Sequence, residues 1–335
     1  MVTLAEVAAK AGVTAATVSN VLRERKKVSR DTAARVMHAI AELGYTPNLT
    51  ARALAEGRAS SVHLALPRGR LRSYESLIRA VEQAARDAGY ILSVSTFGNV
   101  ETDGLTNNPS ADGLIVILED GLSNDAMLVA SRKTPSVFVI PDELSFCSAA
   151  VENNASRSGA IAANSFLKLG HRRFGILSTE NDTRAHMESR LSFIETLDSN
   201  TAGATIRSAQ METTLLSDGY EGCIKMLKAD GNITAVFVLG EALALSALHA
   251  MSFLQRRVPD DVSIIAQVGD VTSPFSNPSM TRVGPDLVQA GALAFSSLTN
   301  LIKDPGPKHQ KIVCHTVCPR LEAGSTIAKP PNPPG

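Results

Sequence analysis

From Ser61 to about residue 320 the sequence alternates between two textures, a short β-branched or leucine-rich run and then an amphipathic stretch. SVHLAL precedes YESLIRAVEQAARDAG, GLIVIL precedes SNDAMLVASR, RFGILS precedes MESRLSFIETL, and TAVFVL precedes EALALSALHAM. Runs that apolar are strands covered on both faces, and the amphipathic stretches are the helices that cover them. The pattern therefore predicts an α/β fold built on parallel sheets. Ligands in such folds bind outside the carboxyl ends of the strands. The alternation is missing from the first 60 residues, which predict a separate all-α unit. A chain of 335 residues has room for two compact units and a small third.

In the N-terminal unit Leu4, Val7, Ala8 and Ala11 recur at helical spacing, and Gly12 follows where the chain must turn sharply. Thr14 can cap a second helix that turns Thr17, Val18, Val21 and Leu22 inward and leaves Ala15, Ala16, Ser19 and Asn20 on the other side. A third helix opens at Ser29, carries Val36, Ile40 and Leu43 inward, and ends at Gly44 with Pro47 beyond it. Two helices joined by a tight glycine turn, the second showing short polar residues, form the helix-turn-helix shape that fits the major groove of DNA. Asn20 can then pair bidentately with adenine, and Ala15 and Ala16 can approach thymine methyls. The hydroxyls of Thr14, Thr17 and Ser19 and the charges of Lys26 and Lys27 can hold phosphates. Helical spacing alone also fits a three-helix protein-binding bundle.

Charge divides the chain in the same place. Residues 1–60 hold nine Lys and Arg against five Asp and Glu, a net +4 that the other 275 residues balance with −4. Such an asymmetry fits a polyanion partner, although a solvated basic face would look the same.

The run TVSNVL, followed by VSRDTAARVMHAIAELGYTPNLTARAL, resembles the lactose-repressor and galactose-repressor (LacI/GalR) family of bacterial transcription regulators. Residues 3–57 fit the family pattern without gaps, at Thr3-Leu4, Ala11-Gly12-Val13, Thr17-Val18-Ser19, Gly44-Tyr45, Pro47-Asn48, Ala51-Arg52 and Leu54 among others. The resemblance implies that Ala15, Ala16 and Asn20 read bases and that Leu54 wedges into the minor groove at the operator centre. Asn48 to Ala55 is rich in alanine and leucine but too short to hold a helix alone, so it should order only on DNA. There a leucine can open a base step at a cost of a few kcal/mol. The other reading makes Leu54 a linker residue packed on the core. The expected DNA contacts are Thr3, Thr14, Ala15, Ala16, Thr17, Ser19, Asn20, Lys27, Ser29, Thr32, Asn48, Ala51, Arg52 and Leu54.

The likeness continues through VENNASRSGAIAANSFLKLGHRRFGIL and VPDDVSII. It implies a core of two lobes like those of periplasmic binding proteins, an effector cleft between them, and chain crossings near residues 156, 285 and 317. The expected division is a headpiece at 1–46, a hinge helix and linker at 47–59, the two-lobed core at 60–324, and a disordered proline-rich tail at 325–335.

Where relatives grip sugar hydroxyls, this chain departs from them. The position of a recurrent arginine holds Met187, an Ala-Asn-Asp run reads Leu239-Gly240-Glu241, and a Gly-Tyr-Asp run reads Ala266-Gln267-Val268. Only Glu241 keeps a carboxylate, which argues against an ordinary neutral sugar. The first strand-to-helix loop instead carries Arg68, Arg70 and Arg72 before Tyr74. Guanidinium groups match carboxylate or phosphate, so an anionic effector is expected, with a solvated surface loop as the plain alternative. The expected effector contacts are Arg70, Arg72, Tyr74, Met187, Arg190, Glu241 and Val268.

No catalytic constellation competes: GxSxG, HExxH and P-loop motifs are missing, and the seven histidines are scattered. Cys147, Cys223, Cys314 and Cys318 read as reduced thiols, the last two as core residues rather than metal ligands. No metal and no cofactor are expected. The start of the chain lacks a signal-peptide pattern, and no apolar run is long enough to span a bilayer, so a cytoplasmic protein is expected. The reading is a repressor acting as a homodimer or tetramer on a pseudo-palindromic duplex operator under control of a small molecule. One alternative is a regulator with a degenerate cleft, governed by a protein partner or by no ligand. A solute-binding protein is another, disfavoured by the intact headpiece.

Overall fold

The structure, a computed structural model, describes residues 2–23, 28–45, 60–97, 111–118, 134–139, 149–180, 182–201, 203–212, 215–269, 276–304 and 313–331. The chain divides into two compact units, Met1–Ser60 and Ser61–Gly335.

In the first unit α1 (Leu4–Ala11) starts under a capping box. The Thr3 hydroxyl accepts the Glu6 N–H at 3.4 Å while the Glu6 carboxylate accepts the Thr3 N–H at 2.7 Å. It ends at Gly12, whose φ of 64° would strain an L side chain. At α2 (Ala15–Arg23) the Thr14 hydroxyl accepts the Thr17 N–H at 3.2 Å. At α3 (Arg30–Leu43) Ser29 does the same for Thr32 at 3.2 Å. Each hydroxyl satisfies a donor that the first helical turn leaves over. The core is small: Val7, Ala8, Ala11, Val18, Val36 and Ala39, with Val21, Leu22, Ile40 and Leu43 against its edge. Ala39 is absent from the expected inward set, because α3 carries alanines on several faces and they blur its apolar stripe. Thr17 is half-buried rather than inward.

The second unit holds two six-stranded sheets. The first contains β1 (Ser61–Pro67), β2 (Ile91–Phe97), β3 (Gly113–Ile117), β4 (Ser136–Val139), β5 (Ala149–Asn153) and β11 (Val313–Val317), in the order β2-β1-β3-β4-β5-β11 and parallel throughout. The second contains β6 (Arg173–Thr179), β7 (Thr205–Met211), β8 (Ala235–Leu239), β9 (Ser263–Gln267), β10 (Thr281–Pro285) and β12 (Pro319–Glu322). Its order is β7-β6-β8-β9-β10-β12, parallel except for β12. The two sheets repeat one winding. Each reverses direction once, between β1 and β3 in the first and between β6 and β8 in the second, which is where doubly wound sheets open a crevice.

α4 (Glu75–Asp87) and α9 (Leu287–Lys303) cover the first sheet through Leu77, Val81, Leu287, Ala294 and Leu298. On the second, α5 (Ala155–Leu169) and α6 (Arg184–Asn200) pack Phe166 and Phe193 against Phe174 and Phe237. The opposite face carries α7 (Leu216–Ala229) and α8 (Glu241–Phe253). At Gly159 a Cβ would lie 1.9 Å from the Ser189 carbonyl oxygen, so α5 and α6 cross where only glycine fits. The chain passes from one sheet's layer to the other's after β5, after β10 and between β11 and β12, at residues 153–155, 285–287 and 317–319. No helix among the described residues is long and apolar enough to cross a membrane.

Two expectations need correction. Residues 325–331 are not a loose tail: Thr326 is fully buried, its hydroxyl donating to the Ile264 carbonyl at 2.7 Å and accepting the Thr281 N–H at 2.8 Å. Further along, the Ala328 carbonyl receives His171 Nε2 at 2.9 Å. Hydrogen bonds to β9, β10 and His171 tie the segment to the second lobe. Residues 332–335 lie outside the described residues. Cys314, on the edge strand β11, and Cys318, just past it, are exposed rather than core; among the described residues Cys223 is the buried thiol, its pKa pushed up to about 12 by burial.

Candidate functional site

The α2 helix sorts its side chains cleanly. Val18 is fully buried, which pins the helix by one face and leaves Thr14, Ala15 and Ala16 exposed and Ser19 and Asn20 half-exposed on the other. Ala15, Ala16, Ser19 and Asn20 thus share one edge, as the 3.6-residue period demands. Among the side chains described there, none is larger than an asparagine.

The hydroxyls around that edge differ in what they have left to give. A hydroxyl has one proton. That of Thr3 is donated to the Glu6 carboxylate at 3.0 Å, so Thr3 acts as a cap and has no donor left for a phosphate. Thr14 and Thr17 face each other at 3.0 Å, and Ser29 and Thr32 at 2.8 Å. Each of these pairs uses one proton internally and keeps a second for an outside acceptor. Both pairs sit at helix N-termini, where backbone N–H groups also attract anions. The remaining expected contacts, Lys27, Asn48, Ala51, Arg52 and Leu54, lie outside the described residues.

In the core unit the expected effector residues do not all gather. Tyr74 is buried in the first lobe's hydrophobic core, and Val268 is buried in the second lobe's, so both pack rather than project. The apolar body of each side chain wins over its place in the motif. Arg70 and Arg72 are exposed on the turn after β1, Met187 is exposed, and Glu241 is half-exposed where α8 begins. Arg190 is half-buried and its Nε has no acceptor among the described residues.

The structure brings together others that sequence reasoning did not select. Past the end of β6, Asp182 is almost fully buried, and its Oδ1 accepts from the Thr179 N–H at 2.9 Å and hydroxyl at 2.8 Å. His186 Nδ1 stands 3.9 Å from that oxygen. The His186 ring is 3.8 Å from where a Cβ on Gly240, at the end of β8, would be. Gln267, the last residue of β9, donates from Nε2 to the Ala185 carbonyl at 3.5 Å. These groups occupy the switch point between β6 and β8 and the strand beside it. The first lobe closes on the same spot: a Cβ on Gly269 would lie 3.0 Å from the Ser73 carbonyl, within the short helical turn Arg72–Tyr74. One sequence signal pointed there, a glutamine ending the otherwise apolar run SIIAQ.

Fold and site together define a class: a small helix-turn-helix headpiece on a two-lobed, doubly wound ligand-binding core. Known proteins agree. Residues 3–48 match the model for bacterial regulatory proteins of the lacI family, and residues 163–321 match the periplasmic binding protein-like domain. The chain is 28% identical to the HTH-type transcriptional repressor PurR of Proteus mirabilis over 342 aligned residues, covering 99% of this chain and 98% of that one. It is also 28% identical to PurR of Pasteurella multocida, over 94% of this chain and 96% of the relative. Among solved structures, the Lac repressor dimer bound to operator and the anti-inducer ONPF superposes with a TM-score of 0.77 at 22% identity, covering 98% and 99% of the two chains. The CelR–cellobiose complex gives 0.66 at 23% identity, over 97% and 100%. Residues 3–48 thus carry the DNA-binding domain of the lacI family of bacterial regulatory proteins, and the chain is similar over nearly its whole length to PurR repressors.

Proposed function

We propose that the protein is an operator-binding repressor, reading DNA as a homodimer under control of a small effector held between the core lobes. The carrying observation is the short-residue edge of α2, Ala15, Ala16 and Asn20, flanked by two hydroxyl pairs that each retain a donor. Asn20 would specify adenine, Ala15 and Ala16 would meet thymine methyls, and Thr14, Thr17, Ser29 and Thr32 would hold phosphates with Lys27. Leu54 would open the central base step.

Pairing is supported by an apolar groove of about 510 Å³ on the second lobe, lined by Leu216, Tyr220, Leu245 and Leu248. Leu215, Leu216 and Phe253 beside it are more than half exposed. We assign this face to a second copy of the chain, because a two-fold pair presents two headpieces to a pseudo-palindrome and the Lac repressor in its operator complex is a dimer. The arginines of the turn after β1 favour an effector with an acid group. It shifts operator affinity only if it binds the two lobe arrangements unequally. Fluorescence anisotropy with duplexes from the gene's own upstream region tests the reading. Saturable, sequence-dependent binding is expected; binding that is equal for all duplexes would end it.

A further inference from the structure

Two acceptors are stranded at the second lobe's end of the cleft. Asp182 Oδ2 and Gln267 Oε1 are buried and have no hydrogen-bond partner among the described residues. Neither can turn to relieve this. Asp182 is held through Oδ1 by both donors of Thr179, and Gln267 is held through Nε2 by the Ala185 carbonyl. Both anchors belong to one stretch, the loop and first turn that lead from β6 into α6. Buried oxygens fixed without a donor are unfavourable until something supplies N–H or O–H. Opposite them stands the Arg72–Tyr74 turn, against Gly269, two residues beyond Gln267. The second lobe thus supplies two fixed acceptors, and the turn packed beside Gly269 carries the exposed Arg72.

We infer that the effector is a small zwitterion whose ammonium seats on Asp182 Oδ2 and Gln267 Oε1 while its acid group meets the arginine-bearing turn. This rests on the effector-cleft reading above and adds the chemical class. An ammonium suits the acceptor wall better than a hydroxyl does. It carries three N–H donors, enough for both oxygens at once, and its charge strengthens the bond to the carboxylate. A neutral sugar would leave Arg72 without an anion, and a plain anion would leave both acceptors stranded.

Isothermal titration of the full chain with the twenty L-α-amino acids, run beside operator anisotropy, tests this. One or more should bind. N-acetylation of the best binder, which removes the cation, and Asp182→Asn, which keeps Oδ1 for Thr179, should each weaken binding about tenfold or more. Arg72→Ala should weaken the amino acid but not its methyl ester. Gln267→Leu gives a second reading of the acceptor wall should Asp182→Asn lower the melting temperature. The inference is overturned if no amino acid binds, if the N-acetyl form binds as well as its parent, or if neither wall variant changes affinity. Operator release by a neutral sugar would likewise end it while leaving the repressor reading standing. Absence of any operator binding would instead end the repressor reading.

Discussion

The headpiece and the effector cleft carry function in opposite ways. In the headpiece six buried side chains hold three helices, and the working groups are whatever the outer face presents: small, exposed and close together in sequence. In the cleft the two stranded acceptors sit at or just past the ends of strands from distant parts of the chain and are buried, and the arginines of the turn after β1 are exposed. A reading edge has to reach into a groove, whereas a ligand site must exclude water and converge on a small molecule. The first can therefore be changed one residue at a time. The second depends on everything that positions it.

The largest effect expected is on pairing. Leu245→Asp, which places a charge in the apolar groove of the second lobe, should convert the dimer to a monomer and lower operator affinity about a hundredfold or more, because the second half-site is lost. Sedimentation velocity alongside anisotropy checks both. A monomer that keeps full operator affinity would show that the headpiece works without the symmetry assigned to it.

A cap deletion should separate the two units. Ser29→Ala removes the acceptor for the Thr32 N–H and should destabilise the headpiece by about 1 kcal/mol, a large share for so small a core. Hydrogen exchange read peptide by peptide should show faster exchange in residues 28–45 and no change in the core unit. Equal loosening of both would mean that the units do not fold independently.

Acid separates them more gently. Burial holds His63 and His171 below the ordinary histidine pKa, so the unfolded chain takes up protons first, and the core loses stability as pH falls below about 6.5. In the headpiece Glu6 is held below the usual carboxylate range by its bonds to Thr3, and Glu42 by Lys10. Their contribution is present at neutral pH and goes only as pH falls through the carboxylate range, near 4. Protection from exchange, each rate taken relative to the unfolded-peptide rate at the same pH, should therefore fall in the core before the headpiece between pH 7.5 and 5.5; the reverse order would contradict these assignments.

Legibility followed the same divide. Caps at Thr14 and Ser29, glycine ends at positions 12 and 44, and the outward edge of α2 were readable because each depends on residues within a turn or two. The strand–helix alternation gave the lobes, since buried parallel strands leave an unbroken apolar run in the sequence. Reading failed where tertiary context chose among equivalent side chains. Tyr74 and Val268 occupy motif positions but face inward, and Asp182 matters only because the loop after β6 folds back on Thr179. The segment Thr326–Ala328 looked like a tail because its partners, Ile264, Thr281 and His171, lie far upstream.

The central claim, that the α2 edge reads bases, is tested most directly by selecting duplexes from a random pool with the native protein and with Asn20→Ala. The native protein should return a two-fold symmetric motif. The variant should return the same motif with one adenine column per half-site flattened, equivalent to about 1–3 kcal/mol of lost discrimination. A native pool without a motif, or a variant motif identical to the native one, would contradict the claim.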